Sequence, residues 1–400
     1  MVPVHFKRLA NMDAKRLLKA IWFTPGPKHR WGLPVLFEGR PGGAKTSMVE
    51  QAASACALHC RVVIGSLHEP SDFLGMPFPD KDKSGRLITS YSPPSWAAEV
   101  RNAVRAVVPF DEINTAAPAT QAALLRVILE GVVGDDALPN TIRFCAMMNS
   151  TEDAAGGWDL AAPLANRFFH FKWDGPDASE WCDWALGGAN GQDGEDGGFN
   201  AENEEKRVLE AWPSPWAKAR GVVAGFIQKR PELLHQMPKS GDPKASKAWP
   251  SHRTWEYAMR GLAGAEVHGL PEIERDEILA AAVGVGAAGE LITYITEADL
   301  PDPADLLDGK VTFTHEPKRL DRTVAVLASC AALVTSNKAA KQADRAAALW
   351  KICQPIVKDA ADMIVPAARS LVKAKLSKAP EARPVLLKLQ PILSAAGITA

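Results

Sequence analysis

The sequence predicts an α/β domain with a parallel sheet flanked by helices, followed by a mostly helical second half. Three observations indicate this fold. Short apolar runs of strand type alternate with helical stretches up to about residue 173. Polar or charged residues directly follow several of these runs, and ligands bind at the carboxyl ends of parallel strands. Beyond residue 206 the pattern is helical, with frequent Ala and Leu.

Length and composition narrow the class of protein. A chain of 400 residues suggests two or three domains. With 46% hydrophobic and 23% charged residues it is typical of globular proteins. The net charge of −1 gives no overall basic field that would hold nucleic acid. The six cysteines show no C-x-x-C spacing, so the sequence gives no support for a zinc ribbon or a redox pair.

A glycine-rich segment at residues 39–46, Gly-Arg-Pro-Gly-Gly-Ala-Lys-Thr, lies between an apolar run and a helical stretch. Glycines let backbone N–H groups converge on phosphate oxygens, and the start of the next helix favours an anion. We therefore predict a phosphate-binding loop, the P-loop, in which Lys45 reaches the β- and γ-phosphates and Thr46 ligates Mg²⁺. The candidate nucleotide-binding residues are Gly39, Pro41, Gly42, Gly43, Ala44, Lys45, Thr46 and Ser47.

One P-loop position departs from the usual G-x-x-x-x-G-K-[ST] pattern. Ala44 stands where the last glycine belongs. An alanine is accommodated there if its φ is negative, as at the start of a helix, and we expect that conformation.

A second chemical landmark is the apolar run that ends in Asp111 and Glu112. Buried strands of parallel sheets are apolar throughout, so this run predicts a central strand. We expect Asp111 to support the Mg²⁺ shell and Glu112 to polarise the attacking water. Pro109 is unusual in such a strand because proline cannot donate to the ladder.

The remaining elements of the first half follow from apolar spacing and from turn residues. The expected helix at 118–130 starts with proline and has Gly131 just past its end. The other expected elements are a helix at 15–23, strands at 33–38 and 61–65, helices at 45–58, 69–75 and 95–106 (Ser95 as N-cap), hairpins at 76–91 and 132–143, and a strand at 142–148.

Two polar residues near this region are further candidates. Asn149 follows the strand at 142–148 and either orients water against the γ-phosphate or starts a turn. Arg167 lies between a short helix and a strand at 168–171. In a ring of subunits, Arg167 would enter a neighbour's site and stabilise charge there.

The second half begins after a segment rich in Gly, Asn, Asp and Glu at 187–205, which predicts a flexible acidic linker. Arg253 lies in the first turn of a helix that opens at 250. The helix dipole does not favour a cation there, so Arg253 has either an anionic partner or a solvated side chain. Helices are also expected at 320–334 and 341–358, with a candidate isolated strand at 311–314.

The order of these motifs resembles AAA+ ATPases, and within them the MoxR family. The resemblance is most specific in three places. Residues 69–77 with the following hairpin resemble the insert in helix 2, residues 110–131 resemble the Walker B block, and residues 147–150 resemble sensor 1. The match covers residues 15–173 well and 206–300 weakly, as a helical lid.

The resemblance implies a function and a set of roles. It implies ATP hydrolysis with Mg²⁺ by a ring, expected to be a hexamer, that remodels or chaperones a partner protein, often one with a von Willebrand factor A domain. Asn149 would be sensor 1, Arg167 an arginine finger acting in trans, and Arg253 sensor 2. The expected domains are 1–186 for the AAA+ core, 187–205 for the linker, 206–300 for the lid and 301–400 for a helical C-terminal region.

Two other functions stay open at this point. One is a nucleic-acid-directed motor of the restriction or transposition type, which the near-neutral charge does not favour. The other is a nucleotide-gated scaffold with slow turnover, which the intact Lys45, Asp111 and Glu112 do not favour. Without an apolar leader or a run of about 18 apolar residues, we expect a cytoplasmic protein with no membrane span.

Overall fold

The computed structural model describes residues 13–150, 157–187, 198–239, 241–336 and 341–395. The chain divides into two compact units. The first consists of Met1–Val208 with Gln236–Val285, and the second of Leu209–His235 with Gly286–Ala400. The boundaries of these units differ from those of the domains expected from the sequence. The expected domains remain a prediction.

The strands lie in the first unit. They are β1 (Val35–Gly39), β2 (His59–Cys60), β3 (Val63–Ile64), β4 (Met76–Lys81), β5 (Leu87–Ser92), β6 (Ala106–Asp111), β7 (Val132–Val133), β8 (Asp136–Ala137), β9 (Ile142–Asn149) and β10 (Phe169–Trp173).

The helices of the first half connect the strands, and those of the second half follow one another. They are α1 (Ala14–Trp22), α2 (Lys45–Ala55), α3 (Ser71–Leu74), α4 (Ser95–Ala103), α5 (Pro118–Glu130), α6 (Ala162–Ala165), α7 (Ala178–Ala185), α8 (Ala201–Ala211), α9 (Pro213–Lys229), α10 (His252–Val267), α11 (Glu272–Val283), α12 (Val285–Ala298), α13 (Pro303–Leu307), α14 (Leu320–Ser336), α15 (Gln342–Asp359), α16 (Ala361–Lys373) and α17 (Ala382–Ala395).

The main sheet is parallel, in the order β10-β1-β9-β6, with β2 and β3 both paired to the outer side of β6. Its inner strands are apolar, and one face packs with α4 and α5 into a core that contains Val108, Phe110, Leu124 and Phe144. The predicted fold class, a parallel sheet flanked by helices with a mostly helical C-terminal region, is confirmed.

The sheet explains Pro109. The Val107 carbonyl accepts a hydrogen bond from the Arg61 N–H at 3.1 Å, on the side of β6 that faces β2 and β3. Because alternate residues of a strand direct their polar groups to the same side, the ring nitrogen of Pro109 faces this side too. This nitrogen lies opposite the gap between β2 and β3, where no backbone hydrogen bond between strands is required.

The predicted strand at 61–65 is present but shorter, as Val63–Ile64. Two other local expectations were wrong. The N-cap of α4 is Pro94, with no side-chain capping hydrogen bond, and Ser95 is the first residue of the helix. Residues 311–314 form no strand; Phe313 instead packs on the core of the second unit.

The predicted linker is helical near its end. Residues 188–197 of it lie outside the described residues, but α8 begins at Ala201. Glu205 of α8 accepts hydrogen bonds from Arg143 at 2.6 Å and from Arg105 at 3.2 Å. Because the Arg143 side chain is fully buried, this ion pair fixes the start of α8 to the amino end of β9.

In its described residues, the second unit contains helices and connecting loops and no strand. Its core lies between α14, α15, α16 and α17, with Trp350 and Leu349 at the centre. No described helix is long and apolar enough to cross a membrane.

Candidate nucleotide site

The P-loop connects the end of β1 to the start of α2. Gly39, the last residue of β1, is paired with Asn149 of β9 on one side and with Trp173 of β10 on the other. The loop therefore lies at the carboxyl edge of the sheet, between the ends of two neighbouring strands, where ligands of open α/β sheets bind.

Lys45 lies inside this loop and is buried. Its ammonium group donates hydrogen bonds to the carbonyl oxygens of Gly39 at 2.9 Å and Arg40 at 2.8 Å. It also donates to Asn149 Oδ1 at 3.1 Å. The predicted phosphate-binding lysine and the predicted water-orienting asparagine are therefore in direct contact.

The expected conformation of Ala44 was wrong. Its φ is +58° and its ψ is 27°, which is left-handed rather than helical. The Met48 N–H donates to the Ala44 carbonyl at 3.0 Å, so Ala44 is the N-cap of α2 but carries the backbone that a glycine would adopt without strain. The loop keeps a backbone geometry typical of glycine, although the Cβ of Ala44 makes that geometry unfavourable.

Thr46 and Asp111 form a pair of oxygen ligands. The Thr46 hydroxyl donates to Asp111 Oδ2 at 2.6 Å, across the gap between α2 and the end of β6. A hydroxyl and a carboxylate beside a phosphate-binding lysine are the protein ligands that Mg²⁺ uses when phosphates and waters complete its shell. These two residues therefore fit Mg²⁺.

Glu112 follows directly and also has a left-handed backbone, with φ of +52°. Its N–H donates to Asp111 Oδ1 at 2.8 Å, and its carboxylate accepts a hydrogen bond from the Ser66 hydroxyl at 3.0 Å. The side chain is exposed. Sequence reasoning missed Ser66, because a serine in a turn after a strand has no distinguishing pattern.

Trp173 was also missed. Its indole Nε1 donates a hydrogen bond to the Gly43 carbonyl of the P-loop. A Cβ on Gly39 would overlap the Trp173 carbonyl oxygen, which explains why this position is glycine. The pairing of β10 with β1 places Trp173 beside the P-loop, and the register of this pairing cannot be read from the sequence alone.

Arg167 lies at the other edge of the sheet, two residues before β10. Its guanidinium donates to the Pro163 carbonyl, while its Nε is buried without a hydrogen-bond partner among the described residues. Desolvation lowers the pKa of Arg167, and the nearby charge of Arg253 lowers it further.

Arg253 shares that edge. The Ser251 hydroxyl, which caps α10, donates to Asn166 Oδ1 at 2.8 Å and so joins the start of α10 to the residue before Arg167. Arg253 lines a cavity of about 390 Å³ together with Pro34 and Ile142, at the amino ends of β1 and β9. The length of β1, about 15 Å, separates this amino edge from the P-loop.

The structure thus forms two groups from the predicted site residues. Lys45, Thr46, Asp111, Glu112 and Asn149 meet at the carboxyl edge. Arg167 and Arg253 meet at the amino edge of the same unit. The roles assigned to these residues stay predictions.

Comparison with known proteins gives one family match. Residues 34–170 match the family described as "ATPase family associated with various cellular activities (AAA)". This segment contains the P-loop and the Asp111–Glu112 motif, and the match supports an AAA-type ATPase. No curated protein matches the chain.

One similar solved structure is described as a "putative ATPase" from Cytophaga hutchinsonii. It is 18% identical, and the similarity covers 70% of this chain and 87% of that chain with a TM-score of 0.44. A similarity this low supports no argument about function.

Proposed function

We propose that this protein is a Mg²⁺-dependent ATPase of the MoxR type that forms a hexameric ring and remodels a partner protein. One observation carries the ATPase proposal: the Thr46 hydroxyl meets the Asp111 carboxylate at 2.6 Å beside the Lys45 ammonium group. The family match over residues 34–170 agrees with ATP as the nucleotide.

The binding step uses groups that already lie close together. Lys45 exchanges its bonds to the Gly39 and Arg40 carbonyls for bonds to the β- and γ-phosphates. Thr46 and Asp111 would hold Mg²⁺, which would neutralise charge on the phosphate oxygens. Catalysis is then mainly positioning and charge stabilisation.

The hydrolytic step needs a base next to the γ-phosphate. Glu112 supplies a carboxylate that accepts a proton from the attacking water, and Asn149 orients this water from the next strand. In the structure, the Ser66 hydroxyl donates to Glu112 Oε2 at 3.0 Å, and the carboxylate keeps further lone pairs that can accept a hydrogen bond from water.

Both arginines act on a neighbouring subunit in this proposal. Arg167 and Arg253 lie at the edge opposite to the P-loop of their own chain, so they are too far from their own phosphates. A ring that places the amino edge of one subunit against the carboxyl edge of the next brings this charge to the neighbour's γ-phosphate.

The surface for the partner protein is the hairpin β4–β5. Its side chains Met76, Phe78 and Leu87 are large, apolar and exposed. The hairpin is attached to the β7–β8 turn, because Asp135 accepts a hydrogen bond from the Tyr91 N–H at 2.6 Å and its own N–H donates to the Tyr91 carbonyl at 3.2 Å. Exposed apolar patches of this kind mark protein interaction sites. The family resemblance suggests a partner with a von Willebrand factor A domain.

The variant Glu112→Gln tests the ATPase and the ring together. It removes the base but leaves the phosphate contacts, so we expect ATP binding to be retained and hydrolysis to fall about 100-fold or more. Light scattering with ATP and Mg²⁺ should give a mass of about six subunits. Unchanged hydrolysis would contradict the role of Glu112, and a monomeric mass would contradict the ring.

A further inference from the structure

We propose that Trp173 is a positioning residue of the P-loop, whose indole orients the peptide group between Gly43 and Ala44 for phosphate binding. The inference rests on the proposed function, because Trp173 would keep the P-loop in the geometry that binds phosphate. Trp173 lies outside the P-loop sequence, at the end of β10.

The hydrogen bond from Trp173 acts on one peptide plane. The indole N–H donates to the Gly43 carbonyl, which directs that oxygen toward β10. In a trans peptide the C=O and the following N–H point in opposite directions. The Ala44 N–H is therefore directed away from β10, toward the interior of the loop where phosphate oxygens bind.

The end of β10 packs closely against β1 and the P-loop. Trp173 is paired with Gly39, at a position where any Cβ would overlap its carbonyl oxygen. Gly175, two residues later, has φ of +84°, and a Cβ there would lie 3.3 Å from the Gly43 carbonyl oxygen. The ring of Phe37 contacts the indole edge-on, with 6.5 Å between the ring centroids. These contacts fix the indole against the P-loop.

The bond to Gly43 matters more in this chain because Ala44 is strained. A left-handed backbone is unfavourable for alanine, so rotation of the Gly43–Ala44 peptide out of its present plane would relieve strain. The Trp173 N–H opposes this rotation from the carbonyl side. A glycine at position 44 would not need that support.

The experiment measures ATP binding by calorimetry with Mg²⁺, in the Glu112→Gln background so that no ATP is consumed. Trp173→Phe keeps an aromatic ring but removes the N–H donor, and we expect its Kd for ATP to rise about 5- to 10-fold. The matched control is Trp181→Phe, which changes an exposed tryptophan of α7 and should leave Kd unchanged within twofold.

The decisive readout is the coupling to Ala44. In the Ala44→Gly background, we expect Trp173→Phe to raise Kd by no more than about twofold, because the strain that the indole opposes is gone. A merely structural role for Trp173 would give the same loss in both backgrounds. If Trp173→Phe lowers the folded fraction, Gly175→Ala gives a second measurement, with an expected rise in Kd of at least threefold.

The outcomes separate this inference from the proposed function. Equal losses in both backgrounds, or no loss with either Trp173→Phe or Gly175→Ala, would overturn the positioning role while ATP binding by the parent still supports the ATPase. A parent protein that binds no ATP would overturn the proposed function, and this inference with it.

Discussion

At the scale of single residues, two positions of the candidate site carry a backbone that L-residues seldom adopt. Ala44 and Glu112 have φ values of +58° and +52°. Strained residues persist where the surrounding structure holds them, and they concentrate at functional sites. The sequence shows that Ala44 replaces a glycine, but not which conformation results, because its φ depends on the fold of the whole loop.

Ala44→Gly should therefore stabilise the protein. Relief of the left-handed alanine outweighs the extra chain entropy of glycine, so the free energy of unfolding should rise by about 0.5–1 kcal/mol in denaturant titrations. Ala98→Gly is the matched control, because Ala98 lies inside the right-handed helix α4 and its change should lower stability by about 1 kcal/mol. Destabilisation by both changes would contradict the strain at Ala44.

His170 makes stability depend on pH. Its Nε2 donates to the Ala165 carbonyl at 2.8 Å, and desolvation lowers its pKa to about 4. The unfolded chain binds this proton near pH 6.5, so between pH 6.5 and 4 the unfolded state holds more protons. Stability is therefore complete above pH 6.5 and is lost as the pH falls toward 4.

The variant His170→Gln isolates this contribution. Between pH 7 and pH 5 its unfolding free energy should fall by roughly 1–2 kcal/mol less than that of the parent. The pKa of His268 is also lowered to about 4, so its contribution to stability decreases equally in both proteins as the pH falls. Glu277, with its pKa raised to about 7 by desolvation, acts in the opposite direction in both. Identical pH profiles would show that His170 is not desolvated.

At the scale of elements, the ion pair of α8 depends on a buried charge. Glu205 is the carboxylate that Arg143 meets in the interior, and Arg143 has no exposed side-chain surface. Removing one partner of such a pair leaves the other charge buried and uncompensated. The first unit includes α8 up to Val208, although residues 201–205 belong to the segment that has the composition of a linker.

Glu205→Gln should therefore be strongly destabilising. We expect a loss of about 3–5 kcal/mol in the free energy of unfolding, measured in denaturant. Glu202→Gln on the same helix breaks exposed pairs with Lys206 and Arg105, and it should lower the free energy of unfolding far less than Glu205→Gln. Similar losses for both changes would show that the Arg143 pair is no stronger than a surface pair.

The elements that the sequence predicted well have strong local signals. Helix α5 begins with Pro118 and ends before Gly131, as expected, and the runs before Lys45 and Glu112 are parallel strands. Elements that depend on pairing were less predictable. The gap between β2 and β3 opposite Pro109 and the hydrogen bond from Trp173 to Gly43 both depend on strand register. Register involves separate segments of the chain, so no single segment predicts it.

At the scale of the whole molecule, the candidate catalytic groups lie at two opposite edges of one unit. The residues at the P-loop were predicted together from motifs, and the structure brings them into contact. The position of Arg253 beside Arg167 was not predicted, because it depends on the bond between Ser251 and Asn166. Among the described residues, Arg167 and Arg253 lie at the edge opposite to the P-loop, so the proposed function uses two subunits for each active site.

Mixing two inactive variants tests whether each active site is shared between two subunits. Arg167→Ala keeps its P-loop but lacks the arginine, and Lys45→Ala keeps Arg167 but lacks the phosphate lysine, so each alone should hydrolyse ATP at least 100-fold more slowly than the parent. In mixed rings, the P-loop of the first meets Arg167 of the second, and up to about a quarter of the interfaces are complete. We predict that mixing restores hydrolysis to roughly that fraction of the parent rate. Full activity of Arg167→Ala alone, or a mixture as inactive as its components, would contradict an active site shared between subunits.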